Sequence, residues 1–324
     1  MATRARLWRP GVAGTAVLGL ALTACGGAKV GDDSAAAGGS SGRCGTFNLA
    51  VSPWVGYEAD AAVVAYVAER DLGCKVVKKD LKAEIGWQGF ETGEVDAILE
   101  NWGHDDLKKK DIDQQKSAVD LGATGNKGII GWYIPPWIAK KYPSIVNWKN
   151  LNRYASKFKT SESGSQGQLL DGDPSYQTND AALAKNLKLN FKVVYAGSET
   201  ALIQGFRDAE KNKKWMIGYF YEPQWFFSEV PLVHVNLPQH TAGCDSDPAK
   251  VACDYPVFDL DKIVSTRFAR SGSPAYGLVR KFRWTNTDQN TVAKYIAVDK
   301  MSPQAAAKKW VEANPGKVKT WLGT

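Results

Sequence analysis

Residues 219–227 read YFYEPQWFF and put six aromatic rings into nine positions. Two earlier stretches repeat the theme more sparsely: SPWVGYE at 52–58 carries Trp54 and Tyr57 beside Glu58, and NWGHDD at 101–106 carries Trp102 and His104. Rings bury more area than other side chains and commonly fill cores. Here, proline and polar interruptions leave ring faces available for chemistry. Such faces attract a desolvated cation through the ring quadrupole, by about 0.5 to 2 kcal/mol per contact. A quaternary ammonium group suits them best, because it has no N–H for a carboxylate to accept. Sugars also stack on Trp and Tyr, and the cation's charge is what separates the two cases.

Catalytic chemistry is poorly provided for. The chain has three histidines, His104, His234 and His240, and no G-x-S-x-G elbow; SGSQG at 163–167 lacks that spacing. DGD at 171–173 begins like a calcium loop without its later ligands, and HDD at 104–106 is too short to specify a metal. Neither an enzyme nor a metal or cofactor is expected. A secreted hydrolase and a carbohydrate-binding lipoprotein remain the readings from other classes.

The elements that position these residues alternate between strand and helix. TFNLAV (46–51) has strand alternation, 58–70 a helical stripe of Ala59, Val63, Tyr66 and Val67, and Gly73 a stop signal. A strand at 75–79, a helix at 83–91 and a strand at 95–100 complete a unit that forms parallel sheet. Ligands of open parallel sheets lie beyond the strands' carboxyl ends, where Trp54, Tyr57, Glu58, Trp102 and His104 fall. GIIGWYIPP (128–136) reads as a strand ended by two prolines, a crossing into a second lobe. That lobe is expected to hold a helix at 180–187, a strand at 191–195, a helix at 199–211 capped by Ser198, and a strand at 215–220 with Tyr221 at its end. The segment 230–237 then returns, 262–265 adds a strand, and the C-terminus is helical from Ser302 and Pro303. Lys108 to Lys110 read as a solvated face, and Trp225, Phe226 and Phe227 as core or rim.

The length of 324 residues exceeds what one core usually supports and implies two lobes with a cleft between them. The start, MATRARLWRPGVAGTAVLGLALTAC, has a basic head and an apolar run of about 14 residues, too short to span a bilayer and right for export. Leu22-Thr23-Ala24-Cys25 resembles a bacterial lipobox, which makes 1–24 a signal peptide and Cys25 the lipid-modified residue anchoring the protein to the outer face of the cell membrane. Residues 25–43 are a Gly/Ser/Ala tether. Of 41 basic and 34 acidic residues, Arg4, Arg6 and Arg9 leave with the signal, so the mature charge is +4. With no basic stripe, nucleic acid is not a partner. Cys44, Cys74, Cys244 and Cys253 allow three pairings in an oxidising compartment. Cys44 and Cys74 head neighbouring strands and Cys244 and Cys253 close a short loop, which favours those two bonds over zinc ligation.

Several motifs together resemble the glycine betaine, proline betaine and choline binding proteins of bacterial ABC importers. They are SPWVGYEAD at 52–60, W-Q-G-F-x-x-G-E-V-D-A-I-L-E-N-W at 87–102, GWYIP at 131–135, GSETALIQGFRDA at 197–209 and YFYEPQW at 219–225. The resemblance implies an α/β, two-lobed periplasmic-binding-protein-like fold of type II, each lobe a parallel-dominated sheet flanked by helices with the ligand in the interlobe cleft. The first lobe would comprise 44–134 and 233–324, the second 135–232. It also implies a monomer that hands its ligand to an ABC permease and its ATPase. Trp102, Tyr176 and Tyr221 match the family's ammonium-enclosing aromatics, with tyrosines where several relatives carry tryptophan. Trp54, Tyr57 and Glu58 match the early loop, where the choline-binding branch uses an aromatic and an acid. His104 stands near a histidine that some relatives use for the carboxylate of betaine, and the amides after Pro174 could assist it. Glycine betaine or proline betaine is the expected ligand, with a choline- or carnitine-type amine as the alternative.

Overall fold

The computed structural model describes residues 44–176 and 178–324. The expected signal peptide, lipobox Cys25 and tether lie outside the described residues. Strand β1 (Thr46–Val51) leads into helix α1 (Val55–Leu72), β2 (Lys75–Asp80), α2 (Ala83–Thr92) and β3 (Ala97–Asn101), the alternation expected from the sequence. Both β2 and β3 pair with β1 in parallel. Disulfides join Cys44 to Cys74 at the feet of β1 and β2, and Cys244 to Cys253.

Helix α1 begins three residues before Glu58, with extended Trp54 as its N-cap, so Tyr57 sits on its first turn. Small Ala and Val side chains let it bury most of its circumference against the helices Asn286–Ala297 and Pro303–Ala313. It stops at Gly73, whose φ of 65° lets its N–H turn back to the carbonyl of Ala68.

The remaining strands are β4 (Ala118–Ile134), β5 (Gly167–Asp171), β6 (Phe191–Tyr195), β7 (Gly218–Glu222), β8 (Val233–His234) and β9 (Val257–Ser265). Their order is β2-β1-β3-β9-β4-β7-β5-β6, with β8 on the end of β4. Parallel pairs occupy both ends of the sheet, and antiparallel β9 and β4 join them. This mixed α/β sheet flanked by helices places β4 as the strand shared by both ends: its first part pairs with β9 and its last residues with β7.

Three strands differ from their expected extents. β4 starts ten residues before the GIIGWYIPP stretch, because Gly122, Gly125 and Asn126 mask its alternation; register shifts between Asp120 and Lys127 absorb them. At Gly125 (φ 104°) a Cβ would lie 2.5 Å from the Trp284 carbonyl oxygen, so only glycine admits that approach. β9 begins at Val257 rather than near Lys262. β7 begins at Gly218, which moves Tyr221 inside the strand and leaves Trp215 stacked near Tyr154 and edge-on to Phe158.

The lysine run at 108–110 is not simply solvated. Lys108 is half-buried, bonded to Asp261 and 3.0 Å from Asp120, and Lys110 reaches Glu91 at 2.8 Å, because the turns at 105–114 lay them against β4, β9 and α2. Two apolar clusters form the interior. The larger runs from Phe47, Val63 and Trp310 through to Phe206, Phe220 and Phe226, so Phe226 is core. The smaller gathers Trp132, Ile138, Phe158 and Phe191 together with Val235 and Leu237. No described helix is long and apolar enough to cross a membrane.

Candidate functional site

The loop after β1, the end of β3, the segment following β5 and strand β7 converge on one cavity of about 70 Å³. Trp54, Tyr57, Trp102, His104, Tyr176 and Tyr221 all line it. Glu58 does not: one residue beyond Tyr57 on α1, it borders a separate hollow of about 480 Å³ with Asp80, Arg207 and Lys300.

Four rings follow one another at nearly right angles. Trp54 meets Tyr176 at 5.8 Å and 88°, Tyr176 meets Tyr221 at 6.4 Å and 85°, and Tyr221 meets Trp102 at 5.8 Å and 86°. Successive perpendicular planes around a common space make the walls of a box. Glycines let two of them settle: a Cβ at Gly172 would lie 2.6 Å from the Tyr176 ring, and one at Gly128 would lie 2.6 Å from the Trp102 indole. Tyr57 stands beneath Trp54, edge-on at 5.5 Å, its hydroxyl accepting from the amide of Leu99 at 2.9 Å.

Strand alternation adds Tyr219, two residues before Tyr221, to the same cavity, while Phe220 between them packs on Phe206. The period-two spacing of YFY carried that signal.

Two carboxylates missed at the sequence level brace the rings. Glu100 is buried at the end of β3; its Oε1 accepts from the indole N–H of Trp54 at 2.8 Å and of Trp102 at 2.7 Å, closing the box between its first and last walls. Its Oε2 accepts from Gln289 Nε2 at 2.6 Å. Burial, and then the neighbouring Glu100, push the Asp60 carboxyl well above the usual carboxylate range. Glu199 opens the helix Glu199–Lys211; its Oε1 accepts from the Tyr221 hydroxyl and from Gln224 Nε2, and its Oε2 from the amide of Val55, the first residue of α1. The sequence signals were modest: an acid in LENW just before Trp102, and an acid just after a serine N-cap.

His104 adopts left-handed backbone (φ 53°) after Gly103 (φ 83°), a turn held by Asn101 Nδ2 donating to the Gly103 carbonyl at 2.7 Å. Burial lowers its pKa against the pull of Asp106, Glu84 and Asp105, which favours the neutral ring. The Tyr176 hydroxyl is buried and meets no partner among the described residues. A site walled by rings and backed by carboxylates suits the holding of a ligand.

The comparison with protein families decides the class. A model of the substrate binding domain of ABC-type glycine betaine transport systems matches residues 45–313. The chain belongs to this family. It is therefore the ligand-binding receptor of an ABC transport system, acting outside the cytoplasm, and not an enzyme. A trimethylamine N-oxide-binding protein of Pelagibacter ubique is 26% identical over 273 residues, spanning 81% of this chain and 85% of the relative. Lactococcal OpuAC, solved closed with glycine betaine, superposes with a TM-score of 0.67 at 21% identity, covering 86% of this chain and 99% of that one. An ABC-transporter choline binding protein solved with choline gives a TM-score of 0.70 at 17% identity, covering 86% and 92%. These two share the receptor's type II periplasmic-binding-protein fold.

Proposed function

We propose that this receptor captures a compact quaternary ammonium compatible solute, glycine betaine or proline betaine, and presents it to an ABC permease and its ATPase. The observation that carries this reading is the box: Trp54, Tyr176, Tyr221 and Trp102 at successive right angles, closed by Glu100. Four faces at about 0.5 to 2 kcal/mol each supply enough attraction for a cation without N–H donors. A space of about 70 Å³ exceeds the roughly 10 to 15 Å³ that a single water needs, which leaves room for a small trimethylammonium head. The lobes would be 44–134 with 233–324, and 135–232, closing on the ligand about β4 and β9. Cys25 would carry the lipid anchor, and the receptor would act as a monomer.

Trimethylamine N-oxide is a second reading, favoured by the relative that shares 26% identity across most of both chains; choline and carnitine are further ligands to compare. The test is a titration of the purified chain with glycine betaine, proline betaine, choline, carnitine and trimethylamine N-oxide, following the fluorescence of Trp54 and Trp102. Saturable change with a betaine supports the proposal. Indifference to every trimethylated amine removes it.

A further inference from the structure

Glu100 and Glu199 brace rings of the box, which leaves open what meets the other end of the ligand. Lys82 lines the same cavity from its rim. It is the N-cap of α2, and no carboxylate lies within 4.0 Å of its ammonium among the described residues. Lys82 is the one lysine or arginine side chain of the cavity lining among the described residues. Ala83, the first residue of α2, borders the cavity as well, and the positive end of this ten-residue helix therefore opens toward it. Trp87, on the next turn, also lines the cavity and is 1% exposed. Positive charge thus collects at the start of α2, opposite in character to the ring faces and Glu100.

We infer that Lys82 is the specificity-determining residue of this receptor: it attracts the anionic oxygen of a zwitterionic trimethylammonium ligand and repels a ligand that is only a cation. The inference rests on the proposed function and narrows it to betaines and N-oxides, against choline. A lysine at a rim acts as a point charge, so reversal of its sign should act oppositely on the two ligand types, whereas a packing role would act alike on both.

The experiment compares glycine betaine and choline binding by the full-length protein and its Lys82→Glu, Lys82→Met and Lys82→Arg variants, by calorimetry at low salt. Lys82 is exposed, so each variant should fold, and circular dichroism checks this. Expected is a loss of about tenfold or more for glycine betaine in Lys82→Glu, the scale of a charge-assisted contact. Choline affinity should hold or rise in that variant, Lys82→Met should fall between, and Lys82→Arg should retain betaine. Equal changes for both ligands, or no change for either, would overturn the inference while leaving the receptor function intact. Failure of the unaltered protein to bind glycine betaine, choline or trimethylamine N-oxide would overturn both.

Discussion

Glu199 Oε2 lies 2.9 Å from the amide nitrogen of Val55, joining the helix that follows β6 to the first turn of the helix that follows β1. The same carboxylate takes the Tyr221 hydroxyl and Gln224 Nε2 on its other oxygen. Burial raises its pKa while these three bonds oppose the rise. One side chain therefore fixes a wall of the box and ties together the two sides that form it. Glu199→Ala should weaken glycine betaine binding by about tenfold, the scale of losing a hydrogen bond to a charged group. Tyr221→Phe should weaken it less, and the double variant should cost less than the sum, since both act through one bond. Calorimetry on the four proteins measures this coupling; strict additivity would separate Tyr221 from Glu199.

Glu100 sets the angle between two indoles by accepting from both on one oxygen. Glu100→Ala should leave Trp54 and Trp102 without their acceptor, shift their fluorescence, and weaken binding by about tenfold to a hundredfold. Glu100→Gln, which keeps a carbonyl oxygen but loses the charge, should fall between. An unchanged emission spectrum in Glu100→Ala would show that the indoles do not depend on it.

Trp102→Ala should abolish measurable capture and leave the fold in place, because its indole is only partly buried at the edge of the larger cluster. Thermal denaturation with and without ligand tests this. A variant that fails to fold would return Trp102 to a packing role.

Three residues of the box were legible in the sequence because they sit near a strand end or in a motif dense with rings, whereas Tyr176, in GDPSYQTND, was reached through the family resemblance. Trp102 follows LEN, Tyr221 lies in YFYEPQW, and Trp54 comes after β1 with only Ser52 and Pro53 between. Glu100 and Glu199 were not legible, because their work is done in partnerships 46 and 144 residues away, with Trp54 and with Val55. Local pattern says that an acid ends a strand or opens a helix; it does not say what that acid will touch. Helix α1 shows the same limit for Glu58, since a three-residue advance of the helix start places Tyr57 at the cavity and aims its neighbour elsewhere. The long β4 was hidden for a different reason: Gly122 and Gly125, the latter permitting close approach to Trp284, erase the two-residue period.

Behind the box, Asp180 accepts from Trp132 Nε1 at 2.8 Å and from the Tyr255 hydroxyl at 2.7 Å, while its other oxygen has no partner among the described residues. Burial, and then the charge of Asp171, push its pKa up to about 8. A raised acid holds its proton in the folded state over a range where the unfolded chain has lost it. Its contribution to stability is thus present below the ordinary carboxylate value and is lost as pH rises toward about 8. Asp180→Asn keeps an oxygen acceptor and cannot ionise, so its melting temperature should fall less than that of the unaltered protein between pH 5 and pH 8, as read by scanning calorimetry. Parallel curves would contradict the assignment.

Attraction between ring faces and a permanent positive charge is the claim on which the function stands, and one pair of ligands isolates it. Glycine betaine and 3,3-dimethylbutanoate have the same shape and the same carboxylate, and differ in a cationic nitrogen replaced by neutral carbon. Four faces at about 0.5 to 2 kcal/mol apiece should make the betaine bind about a hundredfold more tightly or better. Equal dissociation constants for the two by calorimetry would contradict the cation-holding box.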